Sequence, residues 1–278
     1  MKNETIAGTD IESARDGMLV RHPDRPVLKK RPYKAFRHFR ALIADKEDTA
    51  QVFEIFDALP SGQFMDDLRS FCLSDEGEAL RVREPFLPPM LDDRDTLRAM
   101  PEGSVAHAYC DFMEREGLSA AGLVAESARS WENDTRYDDL VRWYGDRRRD
   151  THDLLHIITG YGRDALGEQC VLAFTHGQNG GFGNLFIAYL GGAEIKRTLP
   201  AGPAQKAPIM AALREAQVKG RGRARLCEMP IMDVLAMPLP EARALLGIAD
   251  PAYYYRCHRV WRDAGYDPYD LLGQKAAA

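Results

Sequence analysis

Two histidines, an aspartate and a glutamate occur at a spacing that suits metal binding. His152-Asp153-Leu-Leu-His156 is followed by eleven residues and then by Glu168. On a helix, residues four apart leave the same face, so His152 and His156 could bind one ion. Asp153 is close enough to bind the same ion or to orient one imidazole. Two imidazoles with one or two carboxylates suit Zn²⁺, Fe²⁺ or Mn²⁺, and an incomplete ligand set leaves room for water or substrate.

Glu168 can join this group only if the chain bends. Along one straight helix, it would point to a different side from His156. Gly160 and Gly162 interrupt the helical pattern, and Asp164 suits the acidic first turn of a new helix. The sequence therefore predicts a glycine-interrupted helix pair that turns Glu168 back towards the histidines.

Other metal-dependent activities have a similar local sequence. The zinc-protease motif HExxH has glutamate where this chain has Asp153, whose shorter side chain reaches less far towards a substrate, so a protease is the weaker interpretation. HD-type phosphohydrolases also begin with an HD pair. They need a further upstream histidine, for which His107 is a candidate, and a distant aspartate, so this class stays an alternative.

Glycines and arginines near the motif allow further interpretations. The run GQNGGFG (177–183) does not fit a phosphate-binding loop and favours a helix kink or close helix packing. His176 is interpreted as a core or surface histidine. The run Arg147–Arg149 is typical of a solvated charged face, with bidentate binding of a substrate carboxylate as the alternative.

The elements that must position the motif are predicted to be helices. Apolar residues recur at helical spacing along most of the chain, and no segment alternates strictly over more than four residues. We predict an all-α fold with a flexible arm over residues 1–25, one multi-helix domain over 26–272 and a tail over 273–278. The basic segment 33–43 is interpreted as a charged surface helix, with an amphipathic helix on anionic lipid as the alternative.

Composition narrows the functional classes. The formal charge is −5 and the pI is near 5.8, which argues against nucleic-acid binding. The five cysteines are scattered and form no CxxC pair, so we expect reduced thiols. The N-terminal segment has no apolar stretch typical of a secretory signal. We therefore expect a cytoplasmic protein, with peripheral contact at the inner face of the cytoplasmic membrane as a further expectation.

Three segments of the chain resemble a known family. They are RPYKAFRHFRALIADKEDTAQVFEIFDAL (31–59), RRRDTHDLLHIITGYGRDALGEQCVLAF (147–174) and MDVLAMPLPEARALLGI (232–248). Together they resemble the coenzyme Q (ubiquinone) biosynthesis proteins of the Coq-four family, whose signature is HDxxH, eleven residues and glutamate. The resemblance extends from about Arg31 to Ile248.

This resemblance implies a function and its components. It implies an all-helical fold and a divalent metal, usually zinc, at His152, Asp153, His156 and Glu168. The implied activity is metal-dependent loss of the C1 carboxylate from a methoxylated polyprenyl-hydroxybenzoate, in a form that can be coupled to C1 hydroxylation. The expected partners are a polyprenyl aromatic lipid substrate, a membrane surface, other quinone-biosynthesis proteins and a second copy of the chain. The alternative is a non-catalytic lipid-binding scaffold with a structural metal.

Overall fold

The computed structural model describes residues 12–45, 48–129 and 136–271. Within these ranges the regular structure is helical, and β-pairing is limited to isolated bridges between Ser13 and Leu19 and between Ser104 and Pro238. The predicted all-α fold is confirmed. The α-helices are α1 (Pro32–Ala44), α2 (Ala50–Ala58), α3 (Phe64–Cys72), α4 (Asp75–Arg83), α5 (Pro88–Asp92), α6 (Arg94–Arg98), α7 (Val105–Glu116), α8 (Ala120–Arg129), α9 (Leu140–Asp150), α10 (His152–Thr159), α11 (Ala165–Asn179), α12 (Phe182–Thr198), α13 (Ile209–Gly220), α14 (Ile231–Ala236), α15 (Leu239–Leu245) and α16 (Ala252–Asp263).

Polar side chains begin several of these helices. Ser104 accepts a hydrogen bond from the backbone N–H of His107, as expected of a residue that caps α7. Asp139 accepts one from Arg142 at the start of α9. Ser74 caps α4 in the same way by accepting from Gly77, although the sequence pattern did not suggest a helix there. Local hydrogen bonding therefore sets where these helices begin.

Helix α11 lies at the centre of the main hydrophobic core and packs against α12 and α13. The contact with α13 depends on glycine, because a β carbon on Gly177 would lie 2.2 Å from the carbonyl oxygen of Gln217. Gly180 and Gly181 then adopt positive φ angles of 65° and 88° and separate α11 from α12. The close packing and the bend predicted for the GQNGGFG run are confirmed.

The segment that precedes α1 packs against the body of the protein from residue 12 onward. Ala14 and Val20 are buried in a second hydrophobic cluster with Leu68 and Tyr144. The guanidinium of Arg25 pairs with Asp139 at 2.7 Å. Over residues 12–25, the structure therefore shows packed chain where the sequence suggested a free arm. Residues 1–11 of that arm and the predicted tail, 273–278, lie outside the described residues.

Helix α16 is the main element that was not predicted individually from the sequence. It begins after Pro251, in a part of the predicted multi-helix domain to which no helix was assigned. Its buried side chains are Tyr254, Cys257, His258 and Trp261. Their spacing of three, four and seven residues is that of an amphipathic helix, so the signal was present.

Helix α1 covers α2 with one face and leaves the other in solvent. Ala35 and Phe39 are buried, whereas Tyr33 is 84% exposed and Phe36 is 49% exposed. Nowhere in the described part of the chain is a helix both long enough and apolar enough to cross a bilayer.

Candidate metal centre

His152, His156 and Glu168 meet where α10 faces the first turn of α11. The two imidazoles lie on one face of α10, with ring centroids 5.1 Å apart. One carboxylate oxygen of Glu168, Oε2, lies 3.5 Å from the Nε2 atom of each histidine. One ligand atom from each residue lies within 4.8 Å of the others. The structure thus brings together three of the four predicted ligands at a distance suitable for one ion.

The bend between the two helices sets this geometry. Gly160 ends α10 in the left-handed region with φ of 78°, which favours glycine. Asp164 then begins α11 by accepting hydrogen bonds from the backbone N–H groups of Leu166 and Gly167 at 3.1 and 3.2 Å. The predicted glycine-interrupted helix pair is therefore present, and it directs Glu168 back towards α10.

The imidazole of His156 is oriented by the backbone of this bend. Its Nδ1 atom lies 3.1 Å from the carbonyl oxygen of Tyr161 and 3.2 Å from that of Gly162. Carbonyl oxygens only accept, so we assign the hydrogen to Nδ1. The Nε2 atom is buried and has no hydrogen-bond partner among the described residues. A buried nitrogen of this kind, oriented through its partner nitrogen, suits a metal ligand.

The charges of the three side chains are complementary. Burial alone would raise the pKa of the Glu168 carboxyl, but the imidazoles of His156 and His152 lower it far below its usual range. Burial alone would lower the pKa of the His156 imidazole, and the nearby charge of Glu168 reverses this and raises it. The site therefore favours positive charge between the side chains, which either a proton or a metal cation can supply.

Asp153 does not belong to the three-residue group that the described side chains form. It is 9% exposed, and its negative charge acts on two neighbouring groups. Burial and then the charge of Asp153 raise the pKa of the Tyr109 hydroxyl. Asp153 also helps to raise the pKa of His156. In this geometry, Asp153 contributes charge beside the cluster, whereas the three other residues present the converging atoms.

One side of the cluster is open to solvent. The side chains of His152 and Glu168 are 29% and 32% exposed, whereas that of His156 is 1% exposed. Phe112 stacks on the His156 ring at a centroid distance of 5.6 Å. The cluster is thus buried on the side of His156 and can be reached from solvent on the side of His152 and Glu168.

The arginines before the cluster do not form a solvated charged face. Arg147 is buried and pairs with Glu84 at 2.6 Å, and Arg149 pairs with Asp146 and Asp150. For Arg147 and Arg149, both interpretations of the run, a solvated charged face and bidentate binding of a substrate carboxylate, are therefore wrong. Arg148 lies over the Phe64 ring and lines a small cavity with His152.

The other two histidines noted in the sequence bind backbone. The Nε2 atom of His107 lies 2.9 Å from the carbonyl oxygen of Met100. The Nδ1 atom of His176 lies 2.9 Å from that of Gly181. Neither histidine joins the cluster in the described structure. The additional ligands required by an HD-type phosphohydrolase are therefore not found beside the HD pair.

Helix α16 brings an unexpected polar network close to the cluster. Asp164, besides capping α11, accepts a hydrogen bond from the hydroxyl of Tyr254 and lies 3.2 Å from Nε2 of His258. Both partners come from the helix that the sequence pattern did not reveal, so this network was missed with it.

The chain is similar in sequence to known ubiquinone biosynthesis proteins. The family model described as Coenzyme Q (ubiquinone) biosynthesis protein Coq4 matches residues 60–251. A Culex quinquefasciatus protein, ubiquinone biosynthesis protein COQ4 homolog 2, mitochondrial, is 29% identical over 105 residues, which cover 37% of this chain and 43% of that protein. The Aedes aegypti COQ4 homolog, mitochondrial, is 26% identical over 98 residues, which cover 35% of this chain and 33% of that protein. The match thus spans less than half of these curated relatives.

A solved structure shares the fold. The crystal structure of a protein described as a candidate ubiquinone biosynthesis protein from Nostoc punctiforme has a TM-score of 0.53 and 18% identity. The match covers 79% of this chain and 99% of that chain. At this identity, the similarity shows a common helical architecture.

Proposed function

Because the chain belongs to the Coq4 (Coq-four) family of coenzyme Q (ubiquinone) biosynthesis proteins, we propose that it is a metal-dependent decarboxylase of quinone assembly. The proposed substrate is a methoxylated polyprenyl-hydroxybenzoate. The observation that carries the proposal is the convergence of His152, His156 and Glu168 on one point. In the reaction, the bond between C1 and the carboxylate breaks, CO₂ leaves with the electron pair staying on the ring, and C1 takes up a proton.

The chemistry of the three side chains fits a divalent cation. Two neutral imidazoles and a carboxylate are a common ligand set for Zn²⁺ and also suit Fe²⁺ or Mn²⁺. When bound, such a cation acts as a Lewis acid that stabilises negative charge on an oxygen of the substrate. The chain itself would hold the His156 imidazole by the Tyr161 and Gly162 carbonyls and keep Glu168 ionised.

The number of converging ligands favours an enzyme over a scaffold. Structural zinc sites are usually closed by four protein ligands, whereas catalytic sites have three and leave a position for water or substrate. Here, three side chains converge and one side of the cluster is open to solvent. A non-catalytic lipid-binding scaffold with a structural metal is the alternative that the experiments must exclude.

An oxidative form of the reaction would give a different product. Replacement of the carboxylate by a hydroxyl group is a two-electron oxidation: one atom of dioxygen enters the hydroxyl group, and the other is reduced to water with two protons and two electrons from an added reductant. A redox-active ion such as Fe²⁺ suits this form better than Zn²⁺. The product therefore distinguishes the two forms, since C1 carries hydrogen in one and a hydroxyl group in the other.

The exposed face of α1 supports peripheral contact with a membrane, where a polyprenyl substrate would reside. Tyr33 and Phe36 are exposed on the same face as Arg37 and Arg40, and the exposed residues Lys29 and Lys30 precede the helix. Aromatic side chains beside basic ones are typical of helices that lie on anionic lipid. We propose that this face rests on the membrane, and that other quinone-assembly proteins and a second copy of the chain are the protein partners.

The first test measures metal and turnover in the same preparations. Protein purified without chelator should contain about one equivalent of Zn or Fe, and His152→Ala should lose it while remaining folded, because this side chain is partly exposed. His22→Ala, which changes a histidine outside the cluster, should keep the metal. A carboxyl-¹³C-labelled substrate with a short prenyl chain should release ¹³CO₂ with wild type and with His22→Ala, but not with His152→Ala.

The outcomes of this test separate the two functions. Metal binding without ¹³CO₂ release, together with a large loss of thermal stability in His152→Ala, would support the scaffold. Metal-free wild-type protein with no turnover after addition of Zn²⁺, Fe²⁺ or Mn²⁺ would overturn the proposed decarboxylase.

A further inference from the structure

A cavity of about 440 Å³ lies between α7, the end of α10 and α16. Its floor includes the buried rings of His156, Tyr161, Tyr254 and His258, and the exposed ring of Tyr255 lies at its edge. This volume is within the range of small-molecule sites. Rings on several sides of a cavity favour a flat aromatic ligand, because stacked and edge-to-face contacts stabilise such a group.

The charged residues of this cavity are arginines. Arg115 and Arg262 line it, and none of the described residues that line it carries a carboxylate. Arg115 contacts Glu116 at 3.1 Å, whereas Arg262 has no ion-pair partner among the described residues. A guanidinium can bind a carboxylate through two parallel hydrogen bonds. The cavity therefore favours an anionic ligand.

His258 provides a polar atom whose hydrogen-bonding role is fixed. Its Nε2 atom lies 3.2 Å from Oδ1 of Asp164, and the carboxylate, which also accepts from the Tyr254 hydroxyl, can only accept from the imidazole. We therefore place a hydrogen on Nε2, and in the neutral imidazole Nδ1 is then an acceptor. A ligand hydroxyl group is a suitable donor for it.

The cavity adjoins the metal centre through His156, which belongs to both. Phe112 stacks on His156 and also lines the cavity. A second cavity, beside His152 and Arg148, has only about 30 Å³ and is too small for an aromatic ring. Of these two cavities, only the larger can hold an aromatic group next to the cluster.

We propose that this cavity binds the head group of a hydroxylated aromatic carboxylate. Arg262, with Arg115, binds the carboxylate, the tyrosine rings contact the aromatic ring, and His258 accepts from a hydroxyl group. The choice of an aromatic acid rests on the function proposed above, whereas the size, charge and aromatic lining belong to the cavity itself. The wall formed by α16 lies beyond residue 251, outside the segment that the family model matches.

Binding of 4-hydroxybenzoate, measured by isothermal titration calorimetry, tests this inference. Arg262→Gln should weaken binding at least about fivefold, since one charge-assisted hydrogen-bonding group is lost. Arg259→Gln is the matched control, because Arg259 is exposed on the same helix but does not line the cavity. Methyl 4-hydroxybenzoate, which carries no negative charge, should bind wild type more weakly than the acid.

The same titrations on zinc-loaded and chelator-treated protein separate this inference from the proposed function. Binding that depends on Arg262 in both the zinc-loaded and the chelator-treated protein supports the cavity as the binding site, even if the protein lacks decarboxylase activity. Binding that requires zinc and is equal in wild type and Arg262→Gln would place the acid on the ion and overturn the cavity proposal. Absence of binding to wild type, or equal affinity for acid and ester, would also overturn it.

Discussion

The carbonyl oxygen of Tyr161 lies 3.1 Å from Nδ1 of His156. This contact links the loop after α10 to the imidazole that is most deeply buried in the metal centre. Because the carbonyl can only accept, it determines which ring nitrogen carries the hydrogen and leaves Nε2 directed at the cluster. The position of the histidine is thus set by backbone that follows it in the sequence, before any cation binds.

Metal binding should release a proton, and the affinity should rise with pH. The charge of Glu168 outweighs the effect of burial and raises the pKa of His156, so the metal-free imidazole holds a proton over a wider pH range. A cation needs the Nε2 lone pair and must displace this proton. Titration of metal-free protein with Zn²⁺ at pH 6.5 in two buffers of different ionisation enthalpy should show net proton release. Equal heats in both buffers and an affinity independent of pH would contradict this prediction.

Glu84→Gln should destabilise the protein strongly. The buried Glu84 carboxylate accepts hydrogen bonds from Arg147 at 2.6 Å and from the backbone of Ile231 and Met232. The variant leaves the Arg147 guanidinium buried without a counter-charge, at a cost of about 3–5 kcal/mol in the free energy of unfolding. Urea unfolding monitored by circular dichroism measures this cost.

The adjacent residue provides the control for Glu84. Arg83 forms its ion pair with Asp233 at the exposed surface. Arg83→Gln should therefore leave the urea midpoint almost unchanged. If Glu84→Gln unfolds at the same urea concentration as Arg83→Gln, the buried pair does not stabilise the contact between α9 and the segment before α14.

Asp150→Asn should change how stability depends on pH. Burial raises the pKa of the Asp150 carboxyl from 3.8 to about 6, although Arg149 opposes the rise. Between these values, the folded state holds a proton that the unfolded state has lost, so the free energy of unfolding contributed by this group falls as pH rises. Wild type should therefore lose about 3 kcal/mol relative to the variant between pH 4 and pH 7.

Urea unfolding of wild type and Asp150→Asn at several values between pH 4 and pH 7 tests the prediction for Asp150. Asp95→Asn changes an exposed aspartate and should give a curve parallel to that of wild type. A constant difference between Asp150→Asn and wild type from pH 4 to pH 7 would show that the Asp150 pKa is not raised in the folded protein.

Replacing Tyr33 and Phe36 by serine should weaken binding to anionic lipid. Both side chains are exposed, so the double variant should keep its stability. Loss of two aromatic side chains from a lipid contact should reduce partition into phosphatidylglycerol vesicles about tenfold in a sedimentation assay. Val82→Ser, at a position that is 79% exposed on α4, is the control. Equal partition of wild type and the double variant would contradict a role for the exposed face of α1.

The sequence was sufficient to predict the convergence of His152, His156 and Glu168, because the key relationships are local. His152 and His156 share a helical face through their spacing, and Gly160 marks the bend that returns Glu168. The close packing around Gly177 could also be predicted, because glycines without a phosphate-loop pattern favour helix contacts. These features depend on backbone geometry within a few residues.

Features that depend on distant contacts could not be predicted in the same way. The run Arg147–Arg149 looked solvated, yet Arg147 meets Glu84, which lies 63 positions earlier in the chain. The sequence predicted Asp164 as an acidic residue in the first turn of a helix. Its carboxylate also contacts the imidazole of His258, 94 positions later in the chain. Sequence spacing does not show which charged residues will face one another across the fold. The helical spacing in α16, by contrast, was visible and was missed.

The location of α16 has a consequence for how this protein can diversify. The residues that converge on the cluster lie within 60–251, whereas the cavity wall formed by Tyr254, His258 and Arg262 lies after that segment. Substitutions in α16 can therefore alter the shape and charge of the cavity without changing His152, His156 or Glu168. Relatives could keep the same three converging side chains and differ in the lining of the cavity, with selection acting on the two parts separately.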